Sequence, residues 1–103
     1  MAQPKDSTFT IFRGAASTSN TSLYTSPTGT AVGITHIAIA NNSGSSRTAT
    51  INLATHPLVP GISLSANTTT YVSLDQIIYN GETITGSASA TDVIFHIAGY
   101  EVY

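Results

Sequence analysis

Cysteine and tryptophan are absent from this chain, and charged residues are scarce. Without cysteine the protein can form neither a disulfide framework nor a thiolate metal site, so its fold must be held by packing alone. The only strong cations are Lys5, Arg13 and Arg47, which are too few to neutralise a row of phosphates. We therefore expect no direct binding to nucleic acid.

Long hydrophobic runs are missing as well. Residues 1–6 contain no apolar segment behind a basic start, as a secretory leader would. No later stretch approaches the ~20 apolar residues that are needed to cross a bilayer. The sequence therefore predicts a protein that is made in the cytoplasm and is not inserted in a membrane.

The small number of charges also indicates how the protein works. Charged residues make up 8% of the chain, against about a quarter in an average globular domain, while 41% of the residues are hydrophobic. Serine and threonine supply most of the remaining polar surface, and a net charge of −2 gives little repulsion between molecules. This composition favours a protein that acts within an assembly.

The chain has 103 residues, which is about one domain's worth. Short runs with alternating or β-branched residues recur along it, and turn clusters such as Asn80-Gly81 close them. We predict strands at residues 8–12, 22–24, 31–40, 47–54, 62–64, 69–74, 77–79, 83–88 and 93–102. The fold class that follows is all-β, with a two-sheet antiparallel β-sandwich of jelly-roll or immunoglobulin-like type. The sequence does not choose between those two topologies.

Residue alternation separates two kinds of strand. In residues 48–53 the apolar side chains fall on one face and the polar side chains on the other, as in a sheet with one wet side. Two other segments are apolar on both faces. In the first, Val32, Ile34, His36 and Ala38 alternate with Ile37 and Ile39, and residues 93–102 form the second. The second apolar face needs cover from a neighbouring subunit, another protein or the N-terminal arm, and we favour a subunit.

Residues 1–20 differ in composition from the rest of the chain. We predict that they form an extended N-terminal arm, followed by the β-sandwich domain at residues 21–103. The arm begins polar, and it contains Phe9, Ile11 and Phe12 before a stretch of small residues. These three side chains are candidates for anchoring the domain to a partner by strand addition or by filling a groove. The alternative is a loose terminus with one edge strand.

No catalytic constellation is predicted. His36 and His96 lie on apolar faces of their strands, which favours core or interface positions, and His56 precedes Pro57 in a predicted loop. The strained Gly-x-Ser-x-Gly turn of serine hydrolases is absent, and the five carboxylates are scattered. We therefore expect no enzyme activity, no cofactor and no metal site.

Two sets of segments carry a resemblance to a known family. In the first half they are residues 23–29 (LYTSPTG), 34–44 (ITHIAIANNSG) and 49–53 (ATINL). In the second half they are residues 62–67 (ISLSAN), 80–84 (NGETI), the small-residue run 86–90, and 93–97 (VIFHI). Over residues 20–103 the chain resembles small β-sandwich virion proteins of tailed double-stranded DNA bacteriophages. Members of that family serve as capsid cement or decoration proteins, usually as homotrimers, or as accessory proteins of tails and fibres.

The resemblance implies a virion structural protein that binds the major capsid protein on the capsid exterior and stabilises the shell. It also implies a homo-oligomer, expected to be a trimer. On this interpretation Phe9, Ile11 and Phe12 contact the shell, and His36, His96 and Tyr100 lie between subunits. The alternative is a tail or fibre accessory domain that binds a receptor or a glycan, for which strands would have to gather several tyrosines on one face.

Overall fold

The structure is a computed structural model, and it describes residues 9–102. These residues form eight β-strands and no helix. The strands are β1 (Phe9–Ala15), β2 (Thr21–Thr25), β3 (Ala31–Asn41), β4 (Arg47–Leu53), β5 (His56–Leu64), β6 (Thr68–Tyr79), β7 (Thr83–Ala88) and β8 (Val93–Val102). The predicted all-β class is confirmed, although the strands predicted at 69–74 and 77–79 are one continuous strand, β6.

The strands form two antiparallel sheets of four. Sheet A has the order β1-β8-β3-β6, and sheet B has the order β2-β7-β4-β5. The pair β4–β5 lies inside the pair β3–β6 in sequence, which in turn lies inside β2–β7 and then β1–β8. This is the connectivity of one long hairpin rolled into two sheets, the jelly roll. The predicted two-sheet sandwich is thus confirmed, with the jelly-roll topology of the two that the sequence left open.

The core lies between the inner faces of the two sheets and consists mainly of β-branched side chains. Its largest fully buried apolar members are Phe95, Ile34, Ile37, Ile39, Ile51, Leu64, Ile78, Ile84 and Ile97. On β4 the buried residues are Ala49, Ile51 and Leu53, and the residues between them are exposed or half-buried. The alternation predicted for residues 48–53 is therefore confirmed, and sheet B has one wet face.

A β-bulge interrupts β3. Its register against β8 passes from Ile34 opposite Gly99 to His36 opposite Ala98, so Thr35 has no partner of its own. One extra residue reverses the alternation of side chains from that point onward. Ile34 and His36 therefore point to opposite faces of sheet A, although they are two residues apart.

The bulge corrects one expectation from the sequence. Four side chains of β3 have no exposed surface and lie together in the core: Val32, Ile34, Ile37 and Ile39. His36 is exposed and Ala38 is half-buried on the other side. The assignment of Val32 and Ile34 to the face of His36 was wrong, because counting alternate residues does not detect an inserted residue.

Two glycines allow β3 and β8 to approach closely. A Cβ atom on Gly33 would overlap the ring of Tyr100, which lies across it, and a Cβ atom on Gly99 would overlap the backbone carbonyl of Gly33. A tyrosine ring can rotate away from an added methyl group, whereas a paired strand cannot move without losing hydrogen bonds. Gly99 is therefore the more stringent position.

We predict that Gly99→Ala lowers the free energy of unfolding by about 1–3 kcal/mol, the usual cost of overpacking, and that Gly33→Ala lowers it by less. The measurement is equilibrium unfolding in urea. Gly44→Ala is the matched control, because a Cβ atom there meets nothing within 4 Å. A loss at Gly33 equal to that at Gly99 would contradict this account.

A bidentate ion pair joins the start of β4 to the turn before β8. The Nε and Nη2 atoms of Arg47 donate to the two carboxylate oxygens of Asp92, at 2.9 and 3.1 Å. These hydrogen bonds lower the pKa of Asp92 from its ordinary value of 3.8. A carboxyl whose pKa is depressed by folding stabilises the fold above its unfolded pKa, and this stabilisation is lost as the pH falls through the folded pKa.

We accordingly expect Asp92→Asn to lower the melting temperature at neutral pH. The difference in melting temperature between the variant and the natural chain should shrink as the pH falls below 3.8. It should vanish once Asp92 is protonated in the folded state, because the side chain at position 92 is then uncharged in both proteins. Circular dichroism melts across this range provide the test. Asp75→Asn is the control, since its carboxylate is exposed and makes no hydrogen bond within residues 9–102. A difference that persists unchanged in acid would argue against the ion pair as its cause.

Candidate interaction site

The face of sheet A that points away from the core is the candidate site, and we call it the outer face of sheet A. Residues opposite one another in neighbouring strands share a face, so the register defines its members. They are Thr10, Arg13 and Ala15 of β1, Ile94, His96, Ala98 and Tyr100 of β8, Ala31, Gly33, His36, Ala38 and Ala40 of β3, and Thr69, Tyr71, Ser73, Ile77 and Tyr79 of β6.

The most exposed apolar side chains lie on one strand of this face. Tyr71 is 71% exposed, and Ile77 and Tyr79 are each 52% exposed. They are the only large hydrophobic residues in the described part of the chain that are exposed. All three occupy odd-numbered positions of β6, whereas the even-numbered Thr70, Val72, Leu74 and Ile78 are half-buried or buried. The edge strand β6 thus presents an apolar row to solvent.

The opposite surface of the sandwich is different in character. The side chains that β4 and β7 turn outward are hydroxyls and amides: Thr48, Thr50, Asn52, Thr83, Thr85 and Ser87. Several of them bond to one another or to the backbone, as Thr50 does in accepting from the N–H of Gly61 at 3.1 Å. The large apolar side chains that are fully exposed in the described residues thus lie on sheet A, on the side where burial against a partner would remove them from water.

A groove crosses the middle of the outer face of sheet A. Arg13, His96, Ala38 and Tyr71 lie side by side across the four strands. Together with His36 and neighbouring small residues they line a groove of about 190 Å³. The face therefore combines an apolar row at its edge with a cationic, imidazole-lined groove at its centre.

The hydrogen bonding in the groove fixes the state of one imidazole. The Nε–H of Arg13 donates to Nδ1 of His96 at 3.1 Å. A nitrogen that accepts a hydrogen bond carries no proton, so neutral His96 holds its proton on Nε2. Nδ1 is then occupied and unavailable for ligating a metal or abstracting a proton.

We predict that neutral His96 gives the ¹⁵N chemical shifts of the Nε2–H tautomer, whereas Arg13→Ala gives a mixture of tautomers. His56 is the internal control, because it is exposed and its ring makes no hydrogen bond within residues 9–102. An Nδ1–H tautomer at His96 in the natural chain would contradict the contact with Arg13.

The structure brings the three predicted subunit-contact residues together. His36 is exposed, while His96 and Tyr100 are half-buried, and all three lie on the outer face of sheet A. Tyr100 covers Gly33, and Gly33 lies directly between Tyr100 and Ile77 in the register. Tyr100 therefore extends the apolar row of β6 toward the centre of the sheet.

The predicted shell-contact residues lie in β1, an edge strand that pairs with β8. Ile11 is only 8% exposed and belongs to the core, and Phe12 is half-buried and packs against the core. Phe9 pairs with Gly99 through its backbone. Residues 1–8 of the predicted arm lie outside the described residues. Within the range that the sequence assigned to the arm, residues 9–15 are thus a strand of the sandwich, and Ile11 is not available for contact with a partner.

Sequence reasoning did not single out the apolar row of Tyr71, Ile77 and Tyr79. A partial signal was present, because exposed side chains alternate with half-buried ones over residues 69–74. The aspartate and glutamine in the middle of this strand divided it into two predicted segments, and residues 75–77 are all exposed, so the alternation is interrupted there.

Other kinds of site were sought in the same residues. Between residues 9 and 102 there is no group of three or more histidine, cysteine, aspartate or glutamate residues that could hold a metal ion. The same part of the chain contains no helix with the length and hydropathy required to cross a bilayer.

Comparisons with protein-family models, with curated proteins and with solved structures found no match to this chain.

Proposed function

We propose that this chain is a virion structural protein, a capsid cement or decoration protein that binds the outside of the major capsid shell and stabilises it. The observation that carries the proposal is the outer face of sheet A, which exposes Tyr71, Ile77 and Tyr79 on a molecule of very low charge. Burial against other subunits removes such a surface from water. The sequence resemblance to phage virion proteins supplies the identity of the assembly.

The dimensions of this face suit a protein interface. β3 has 11 residues, and at 3.3 Å per residue it is about 36 Å long. Four strands at 4.8 Å spacing are about 19 Å across, so the outer face of sheet A covers about 700 Å². A stable interface of standard size buries about 600–1,000 Å² on each partner. One face of this small domain is therefore large enough to hold it on a shell.

Repetition around a shell strengthens such binding. An oligomer that contacts the shell through several identical faces gains affinity by multivalency, without any new type of contact. Each bound copy that bridges neighbouring capsid subunits adds binding free energy that opposes outward pressure. The residues we assign to this contact are Tyr71, Ile77 and Tyr79 of the apolar row, together with Arg13 in the groove. Ile11 and Phe12 are left out because Ile11 belongs to the core and Phe12 packs against it.

The location of the protein in the virion tests the proposal. Heads and tails of the source virion would be separated, and each fraction would be probed for this 10.7 kDa chain. The cement role requires the chain in heads at high copy number. Its presence only in tails would favour the alternative below, and its absence from both fractions would overturn a virion role.

We further expect Tyr71→Asp to reduce binding to shells that lack the protein by at least tenfold, because it places a carboxylate in the apolar row of β6. The assay is co-sedimentation with purified shells. The matched control is Thr50→Asp, which adds the same charge on the polar face of sheet B. Equal binding by both variants would exclude the outer face of sheet A as the contact.

The alternative function is a tail or fibre accessory domain that binds a receptor or a glycan. It is favoured by the position of Tyr71, which is 71% exposed and stands beside the groove of Arg13, His36 and His96. Sugar rings stack on exposed aromatic side chains, and hydroxyl or carboxylate groups bind to adjacent cationic and imidazole donors. Glycan-array binding that Tyr71→Ala abolishes, together with location in tails, would support it over the cement role.

A further inference from the structure

Three of the four strands of sheet A are irregular at the same level of the sheet. The register against β8 shifts between Thr10 and Phe12 on β1, and between Ile34 and His36 on β3. The register of β6 against β3 shifts at the same point of β3. Both shifts against β8 lie next to Ala98. Because β-bulges are frequent beside binding sites, where they redirect side chains, the surface around Ala98 is a candidate for one.

The irregularities of β1 and β3 turn a guanidinium and an imidazole outward. Thr10 and Arg13 are three residues apart and would point to opposite faces of a regular strand, yet both lie on the outer face of sheet A. Gly33 and His36 are also three residues apart and share that face. An extra residue in each strand reverses the alternation of side chains. Arg13 and His36 therefore lie on the same face of the sheet, on either side of β8.

Two alanines form the floor of the groove between these side chains. Across the four strands, one row of the outer face consists of Arg13, His96, Ala38 and Tyr71, and the next row consists of Thr10, Ala98, His36 and Ser73. Ala38 and Ala98 are thus diagonal neighbours, and a larger side chain flanks each of them on both sides. Since a methyl group is much shorter than its neighbours, the groove has an apolar floor and walls that carry hydrogen-bond donors.

The guanidinium of Arg13 is held in place but has no anion of its own within residues 9–102. Its Nε–H donates to Nδ1 of His96 at 3.1 Å, which fixes the side chain against β8. In the same residues its Nη1 and Nη2 atoms donate to no acceptor, and no carboxylate lies within 4 Å, whereas Arg47 pairs with Asp92. Two terminal nitrogens of a planar guanidinium match the two oxygens of a carboxylate.

We propose that the groove is a binding site for a carboxylate on a short aliphatic stem, an aspartate or glutamate side chain that a partner protein inserts. The carboxylate accepts from Nη1 and Nη2 of Arg13, and the methylene groups of the stem lie on Ala38 and Ala98. The ring of His36 makes no hydrogen bond within residues 9–102 and is a further donor on the opposite wall. The inference rests on the proposed function, because it states which group the capsid shell presents to the outer face of sheet A.

The lining of the groove favours an acidic side chain over an acidic sugar. Both carry a carboxylate, but a sugar ring also carries hydroxyl groups, which need hydrogen-bond partners when they are covered. The floor offers only the methyl groups of Ala38 and Ala98, and these suit the methylene groups of an acidic side chain. On the side of β6 the groove adjoins the exposed apolar row that begins at Tyr71, a surface that a protein partner can bury.

Titration of the isotope-labelled full chain with a blocked tripeptide that has a central glutamate tests the site by NMR. The same peptide with a central glutamine is the comparison. We expect saturable shifts of the Nε–H of Arg13 and of the methyl groups of Ala38 and Ala98. The glutamate peptide should bind about fivefold more tightly, as for a well-oriented exposed ion pair. Arg13→Gln should abolish this preference. Equal affinity for the two peptides, or an unchanged preference in Arg13→Gln, would overturn the proposal.

A second pair of variants distinguishes the groove from the charge of Arg13 alone. Ala38→Leu fills the floor and leaves the guanidinium in place, so the affinity for the glutamate peptide should fall to that for the glutamine peptide. Ala15→Leu is the matched control, because it adds the same side chain to the outer face of sheet A outside the groove. It should bind as the natural chain does. Natural affinity in Ala38→Leu would mean that the peptide pairs with an exposed cation only, and it would refute the groove as the site.

Two further titrations identify the source of the carboxylate. Glucuronate should bind more weakly than the glutamate peptide, and tighter binding by glucuronate would overturn the assignment to a protein side chain. Asp6 lies outside the described residues, so Asp6→Asn is included and should bind the peptide as the natural chain does. Tighter binding by Asp6→Asn would show that the chain's own carboxylate competes for the groove, and it would overturn the assignment to a partner.

The outcomes separate this inference from the proposed function. Peptide binding by a chain that is absent from virion heads would leave the site standing and remove the cement role. If the chain is present in heads and its Arg13→Gln variant binds shells as tightly as the natural chain, the cement role stands and the shell does not supply the carboxylate.

Discussion

Burial of apolar side chains between the two sheets is the interaction on which the rest of this structure depends, because the chain has no cysteine and residues 9–102 contain a single ion pair. Ile34, Ile37 and Ile39 of β3 meet Ile51 of β4 and Ile84 of β7 across the sandwich interior. β-branched side chains suit this role since they have few rotamers to lose and fit a pleated surface. Each strand packs only one of its faces into the core. The side chains on the other face are therefore not constrained by core packing and can take part in binding.

The bulge at Thr35 separates the features of this fold that could be predicted from the sequence from those that could not. The strands, the sandwich and the clean alternation of β4 followed from residue patterns, because composition and period are averaged over many residues. The face of Val32 and Ile34 did not follow, because a single inserted residue changes the geometry while it leaves composition unchanged. Its consequence is large, since it takes two apolar residues from the outer face of sheet A and buries them in the core.

The same limit applies to the candidate site. His36, His96 and Tyr100 were assigned to one contact surface from the sequence, and all three do share the outer face of sheet A. Ile11 was assigned to a partner contact and lies in the core instead. An apolar residue in a terminal segment has the same sequence signature in both cases. Only the pairing of β1 with β8, a contact between the two ends of the chain, distinguishes them.

The apolar and the charged parts of the outer face of sheet A lie on different strands. The apolar row lies on β6, whereas Arg13 lies on β1, at the other edge of sheet A and about 14 Å away across three strand spacings. A guanidinium that becomes buried must find acceptors, because an uncompensated buried charge is strongly unfavourable. Nδ1 of His96 accepts a hydrogen bond from only one N–H group of Arg13, the one on Nε. Any partner that covers the groove must therefore bring its own acceptors, carboxylates or backbone carbonyls, to Arg13.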